Sequence, residues 1–299
     1  MSTLGELCSL VSRHGTPHGF TPETMNNLRL TASTSPLDPV CSVEGPAFAV
    51  VLQGAKRTMV GDKTYSYSAG QCLVISLELP ISARVTRASV VEPFLSFGFR
   101  LKAAEIATLL LEDATSTAHN ETQTDNSGVA ISHSSPDLLD AVYRLVRLID
   151  RPGDIAVLRP MVEREIHWRL LSGPQGALIR QIGLADSRLS QISRAVTWIR
   201  RHFNKTLATE DLAAMAGMSL STFHRNFRAV TTMSPLQYQK QIRLQEARAR
   251  LIADARDIAA IGFAVGYESP SQFSREYRRQ FGDSPGRDAE RLHSQARTA

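Results

Sequence analysis

Apolar positions follow two periods along this chain. Between about Ala47 and Leu101 they come in short runs broken by glycine. "FAVVLQG" ends at Gly54, "KTYSYSAG" alternates aromatic with small polar residues, and "CLVISLEL" is another apolar run. "FLSFGFRL" sets Leu95, Phe97, Phe99 and Leu101 on one face at a period of two, the mark of a half-buried strand. Gly61-Asp62 between two such runs predicts a hairpin turn. Many short strands with regular turns predict a small antiparallel sandwich or barrel.

After Leu101 the period lengthens. "AAEIATLLLED" predicts a short helix and "ATSTAHNETQTDNSG" an exposed polar loop. "DLLDAVYRLVRLID" carries Leu138, Leu139, Val142, Leu145, Val146 and Ile149 on one side. "DIAVLRPMVEREIHWRLLSG" is a second helical pattern, interrupted by Pro160, with Val157, Met161, Val162, Ile166 and Leu170. A small barrel covers only part of that apolar surface. The helix Asp137–Asp150 is therefore expected to form the face of a homodimer. "SGPQG" (Ser172 to Gly176) is a breaker cluster and marks a domain junction before Ser187. The expected organisation is an N-terminal extension at 1–27, a β-rich domain at 28–172, a linker at 173–186, a helical domain at 187–292 and a tail at 293–299.

The helical part contains the same small unit twice. "GMSLSTFHRNFRAVTTMSP" and "GYESPSQFSREYRRQFGDSP" align at a constant interval of fifty residues: Phe223 with Phe273, Arg225 with Arg275, Phe227 with Tyr277, and Ser234-Pro235 with Ser284-Pro285. Each copy reads as helix, tight turn, helix, at 208–228 and 257–278. Gly217 and Gly266 end the first helices. Ser219 and Ser269 cap the second ones, Pro270 fits a first helical position, and Gln272 completes a capping box. Asp257 caps the first helix of copy two, where copy one has Ala208. In the second helices Phe223 and Phe227, and Phe273, Tyr277 and Phe281, share a face that must be buried. The opposite faces carry Ser221, His224, Arg225 and Arg228, then Ser271, Ser274, Arg275 and Arg278. Small polar residues and arginines suit the major groove of DNA, where arginine bonds guanine edges or phosphates. Between the copies, Ser234 caps and Pro235 opens a helix to about Ile252. At 1.5 Å per residue that spacer spans roughly 25 Å, enough to hold two reading helices in successive grooves about 34 Å apart.

Charge sharpens this picture. The whole chain carries +5, but Ser187 to Ala299 holds 18 Lys and Arg against 10 Asp and Glu, leaving the rest slightly acidic. A basic C-terminal third points to a polyanion-binding module. No apolar run reaches the roughly 18 residues that would cross a membrane, and the first residues lack the pattern of a secretory signal. A cytoplasmic protein with no membrane partner is expected. Cys8, Cys41 and Cys72 are distant and odd in number, which fits reduced thiols.

The stretch "DIAAIGFAVGYESPSQFSREYRRQFGDSP", with the duplication, resembles the AraC/XylS family of transcriptional regulators over roughly Ser187 to Leu292. The resemblance implies an all-α, seven-helix DNA-binding domain with two helix-turn-helix units. By position, its base-facing candidates are Ser221, His224 and Arg225, then Ser271, Gln272, Ser274 and Arg275. One departure bears on the packing of the last helix: the family usually continues after Ser284-Pro285 with Tyr-Arg two residues on, and here Arg287-Asp288 stand. From about Leu28 to Leu171, with "GAKR" (Gly54 to Arg57) and "YSAGQCLV", the chain is similar to the family's cupin-like sensory domain, a β-barrel followed by helices that often mediate dimerisation. The fold class is then α+β and multidomain. The implied partners are double-stranded promoter DNA, a second copy of the chain, RNA polymerase and a small-molecule effector. The alternative is that the N-terminal domain binds a protein partner.

Enzyme chemistry is not expected. Metal-dependent cupin enzymes need histidines inside the barrel, and His14, His18, His119, His133, His167, His202, His224 and His293 all lie outside Ala47 to Leu101. No metal and no cofactor are expected, and no nucleophile elbow, P-loop or dinucleotide fingerprint is present. Cys41 and Cys72 are candidate thiol sensors, though buried inert cysteine is commoner. "GAKR" is compatible with an anionic ligand and equally with a polar strand end.

Overall fold

The computed structural model describes residues 3–112, 127–253 and 257–298. The chain divides into two compact units. One runs to Ser193 and includes Ala229–Thr232; the other comprises Arg194–Arg228 and Met233–Ala299.

In the first unit, strands β1 (Leu28–Ser33), β8 (Phe94–Arg100), β3 (Ala47–Gln53), β6 (Gln71–Ile75) and β9 (Val129–His133) form one sheet in that order. Strands β2 (Val40–Glu44), β7 (Leu79–Arg87), β4 (Ala55–Val60) and β5 (Lys63–Ser68) form the second. Every pairing is antiparallel. The predicted hairpin joins β4 to β5, with Val60 opposite Lys63 and Gly61 at φ 59°. Gly54 carries the chain between sheets at φ 81°, and a Cβ there would stand 2.4 Å from the Arg87 carbonyl oxygen. Only glycine fits that crossing. "CLVISLEL" is two strands, not one: Ser76 to Glu78 carry the chain from β6 in one sheet to β7 in the other. Continuous burial erased the alternation that would have shown the break.

Helices complete this unit. Helix α1 (Thr3–His14) sets Leu7, Leu10 and Val11 into the core beside Met25, so the described residues of the expected extension pack into the domain. Helix α2 (Ala103–Glu112) falls where expected; the polar loop expected after it lies mostly outside the described residues. Helix α3 (Pro136–Arg147) starts at Ser135, whose Oγ accepts from the Leu138 N–H at 3.2 Å. Its apolar side, Leu138, Ala141, Val142, Leu145 and Val146, is buried in the unit's own core. The apolar residues on which the expected dimer face rested are therefore largely covered within the chain: α1, unrecognised in the sequence, supplies part of that cover. Helix α4 (Ile155–Leu171) runs through Pro160 without a break. Pro160 is exposed, so the carbonyl it cannot serve can bond water. Buried Glu163 on α4 accepts from Lys102 Nζ at 2.7 Å and from Asn27 Nδ2 at 3.0 Å, fixing the helix to the ends of β8 and β1. The expected linker 173–186 also folds. Gly176 N–H closes a turn on the Gly173 carbonyl at 2.9 Å, and α5 (Gly176–Gly183) buries Ile179 completely.

The second unit is helical: α6 (Arg188–Arg201), α7 (Thr209–Met215), α8 (Leu220–Thr231), α9 (Pro235–Ala253), α10 (Ile258–Ala264), α11 (Pro270–Phe281) and α12 (Pro285–Thr298). Long α9 spans about 28 Å at 1.5 Å per residue. It begins with a full capping box: Gln237 N–H donates to Ser234 Oγ at 3.2 Å, and Ser234 N–H donates to Gln237 Oε1 at 2.9 Å.

The Arg287-Asp288 departure proves structural. Asp288 is completely buried and accepts from Arg248 Nε at 2.8 Å, Tyr277 Oη at 2.8 Å and Arg291 Nη2 at 2.5 Å. Fifty residues earlier the equivalent contact is aromatic, Tyr238 edge-on to Phe227 with ring centroids 5.8 Å apart. The two copies thus make the same helix contact with exchanged chemistry. Burial alone would raise the Asp288 carboxyl; hydrogen bonds from Arg248 and Tyr277 and the arginine charges outweigh it and hold it below the ordinary carboxylate range. Asp288→Ala is expected to destabilise this unit by roughly 3–5 kcal/mol, because it removes a buried carboxylate from three donors. Faster amide hydrogen exchange in peptides from α9, α11 and α12 would report it. The carboxyl's contribution is complete above the ordinary carboxylate range and lost as pH falls below it, so Asp288→Asn should flatten that acid dependence.

Candidate functional site

Both copies of the repeat fold to the same pattern. Helix α7 ends where Met218 N–H bonds the Ala213 carbonyl at 2.9 Å and Gly217 N–H bonds Ala214 at 2.9 Å; α10 ends where Tyr267 N–H bonds Gly262 at 3.0 Å and Gly266 N–H bonds Phe263 at 2.9 Å. Both are Schellman ends with a left-handed glycine, Gly217 at φ 67° and Gly266 at φ 95°. A Cβ on Gly266 would stand 2.6 Å from the Asn204 carbonyl oxygen. Asp257 Oδ1 caps α10 through the Ala260 N–H at 2.8 Å, and Ala208 offers α7 no side-chain cap. Ser219 and Ser269 cap α8 and α11. Of the expected capping box at Ser269, the structure shows the half in which Gln272 N–H donates to Ser269 Oγ at 3.5 Å.

Burial then fixes which way the polar faces look. Phe223, Phe227, Phe273 and Tyr277 are fully buried. Ser221, His224, Arg225 and Arg228 on α8, and Ser271, Gln272, Arg275 and Arg278 on α11, are exposed, and Ser274 is half-buried. All nine therefore lie on or beside the two outward faces. The arginines of this unit divide by role. Arg243 donates to the carbonyls of Phe203 at 2.6 Å, Gly266 at 2.7 Å and Lys205 at 3.0 Å, and Arg248 is bound to Asp288. The guanidinium groups of Arg225, Arg228, Arg275 and Arg278 have no hydrogen-bond or ion-pair partner among the described residues. These four arginines give two matched helices an exposed basic surface.

The first unit holds a second candidate site. A cavity of about 430 Å³ lies between the two sheets. Phe48, Phe97 and Phe99 line it from one sheet, and Lys56, Thr58, Tyr67, Ile81 and Val85 from the other. Thr58 Oγ1 and Tyr67 Oη are 3.2 Å apart. Burial pushes the Tyr67 phenol up to about 12, against the Thr58 hydrogen bond. Burial pushes Lys56 down, with Glu44 opposing and Arg29 reinforcing. Lys56 keeps some accessible surface, and that surface faces the cavity. Sequence reasoning placed no ligand residues here; the signal was the "GAKR" lysine, whose inward direction only strand register reveals.

Other sequence candidates are structural. His14 pairs with Asp150 at 2.8 Å, and His167 is buried, its ring nitrogens bonded to Lys102 N–H at 3.1 Å and the Glu163 carbonyl at 2.7 Å. Burial raises the Cys8 thiol, which disfavours the reactive thiolate. Cys72 Sγ lies 3.4 Å from Ser132 Oγ. Among the described residues no three His, Cys, Asp or Glu side chains are grouped as metal ligands.

These features define a class: a double helix-turn-helix unit with an exposed basic face, joined to a β-sandwich with a cavity. The family of AraC-type transcriptional regulator N-termini matches residues 24–178, and a helix-turn-helix domain family matches 212–291. The chain belongs to the AraC-type transcriptional regulators, a family of transcription factors and not of enzymes. The HTH-type transcriptional activator RhaS of Klebsiella pneumoniae is 30% identical over 163 residues, which cover 51% of this chain and 56% of RhaS. The chain thus spans about half the length of such relatives. Among solved structures, an apo form of ToxT from Vibrio cholerae is similar with a TM-score of 0.56 at 8% identity, covering 89% of this chain and 98% of ToxT. ToxT bound to (E)-4-(8-methylnaphthalen-1-yl)but-3-enoic acid is similar with a TM-score of 0.56 at 9% identity, covering 89% and 99%. At these identities the likeness is one of fold.

Arg225→Ala and Arg275→Ala should each weaken binding to a selected duplex site by about 1–3 kcal/mol, roughly 5- to 150-fold, without lowering thermal stability. Fluorescence anisotropy titrations across salt concentrations would measure it, with affinity falling steeply as salt rises.

Proposed function

We propose that this chain is a cytoplasmic one-component regulator that reads promoter DNA through α8 and α11 and answers to a small organic effector held between its two sheets. The observation that carries the DNA reading is the pair of matched helices with buried aromatics behind and four unpaired arginines in front. The roles run from α8 (Ser221, His224, Arg225, Arg228) to α11 (Ser271, Gln272, Ser274, Arg275, Arg278), with arginines on guanine or phosphate and the small polar residues allowing close approach. The cavity favours an effector over a wholly filled sandwich, which would have left only its outer surface for a partner. No described helix is long and apolar enough to cross a membrane. The boundaries that fit this reading are a sensory domain reaching from α1 through α5 and a DNA-binding domain from α6 through α12.

Assembly as a homodimer is part of the same reading, on a different face from the one the sequence pointed to. Val157, Met161 and Trp168 recur along one side of α4 and are 66%, 63% and 38% exposed. An apolar stripe of this kind marks an interaction surface. A second copy is the simplest occupant, since isologous dimers are the commonest assembly and pairing raises avidity for a two-site operator. Met161→Glu with Trp168→Glu should give folded monomers whose affinity for a two-site operator drops at least about tenfold. Sedimentation at micromolar concentration, with circular dichroism for folding, would check it. If the variant sediments as wild type does, the α4 stripe is not the dimer face.

A further inference from the structure

We propose that the cavity takes an organic anion, a carboxylate on an apolar body, and that Lys56 holds its charged end. This rests on the reading of the first unit as an effector-binding domain and names the ligand class for it.

Strand register puts Lys56 and Thr58 on the inward face of β4, while Arg57 turns outward toward Ser66. Lys56 Nζ has no hydrogen-bond or ion-pair partner among the described residues. Glu44 also lines the cavity, but its Oε1 accepts from Ser42 Oγ at 2.8 Å and lies beyond ion-pair reach of the ammonium. An ammonium withdrawn from water without a partner is costly, and structures keep such groups where something else completes them. The other charged groups around the cavity are His18, Arg29, Asp38, Glu44 and Arg100. Arg29, Lys56 and Arg100 outnumber the carboxylates Asp38 and Glu44, and although the Glu44 charge supports the ammonium, a neutral ligand would leave Lys56 without an ion-pair partner. An anion satisfies it.

The remaining chemistry agrees. Thr58 and Tyr67 hydroxyls stand on the same sheet as Lys56, and the Tyr67 phenol stays protonated across the physiological range, so it can donate to a carboxylate oxygen. Phe48, Ile81, Val85, Phe97 and Phe99 offer only apolar surface to the rest of the molecule. At about 430 Å³ the space suits a small ligand, near the lower end of typical sites. Because burial lowers the Lys56 ammonium, a bound carboxylate would raise it again and draw in a proton wherever the free amine is populated.

The test uses the full chain and four probes: octanoate and 4-phenylbutanoate, and the matching octan-1-ol and 4-phenylbutan-1-ol. By isothermal calorimetry the carboxylates should bind at least about tenfold tighter than their alcohols, and Lys56→Met should lose that margin while leaving the alcohols unchanged. At alkaline pH, buffers of different ionisation enthalpy should show proton uptake for wild type and none for Lys56→Met. The apo variant should melt no lower than wild type, since it loses an uncompensated charge; Lys56→Gln serves if it does not. Alcohols binding as tightly as carboxylates, with Lys56→Met changing neither, would overturn the anion and leave the effector reading standing. If neither class binds, and none changes DNA affinity, both fall.

Discussion

Helix α9 is the constraint on which the DNA-binding unit depends. Each half of the repeat is attached to it by a buried contact. Near its start Tyr238 packs edge-on against Phe227 of α8. At its middle Arg243 binds three backbone carbonyls, including Gly266 in the turn of the second copy. Toward its end Arg248 meets Asp288, which also holds Tyr277 of α11. Two helices fastened to one rod cannot choose their spacing independently. Their separation becomes a property of the protein.

Charge placement follows the same logic. Arginines that build the unit point inward or along it and are saturated with carbonyl or carboxylate oxygens. Arg225, Arg228, Arg275 and Arg278 point away from the aromatic faces and have no hydrogen-bond or ion-pair partner among the described residues. In the first unit the contrast is informative in the opposite sense, because Lys56 faces inward with no ion-pair partner among the described residues. Each unit therefore carries positive charge without an ion-pair partner among the described residues, on an outer face in one and beside a cavity in the other.

Much of this was legible in the sequence, and the gaps have physical reasons. The helix-turn-helix pair could be read because its capping serines, turn glycines and apolar spacings are local, and the repeat displayed each one twice. The hairpin at Gly61-Asp62 was legible for the same reason. What failed was non-local. Helix α1 resembles a polar start because only one side of it is apolar, and its core role appears only once Leu7 and Val11 meet Met25. The apolar side of α3 could not announce whether it faced its own chain or a copy. "SGPQG" was a turn between two packed helices and not a linker, since breakers mark turns of either kind. Lys56 needed strand register to show its direction. Asp288 looked like a defect until its position was seen to exchange chemistry with Tyr238.

If α8 and α11 lie in successive major grooves on one face of the duplex, the spacing between the two contacted DNA segments is fixed. The direct measurement is binding to a site selected from random duplexes, compared with versions carrying 5 or 10 extra base pairs between the two contacted segments. With about 10–10.5 base pairs per turn, the shorter insertion puts the second segment on the opposite face. The 5-base-pair insertion should weaken binding at least as much as Arg275→Ala does, and Arg275→Ala should then add nothing on the inserted site. Unchanged affinity on that site, with Arg275→Ala still costing its full amount, would contradict it.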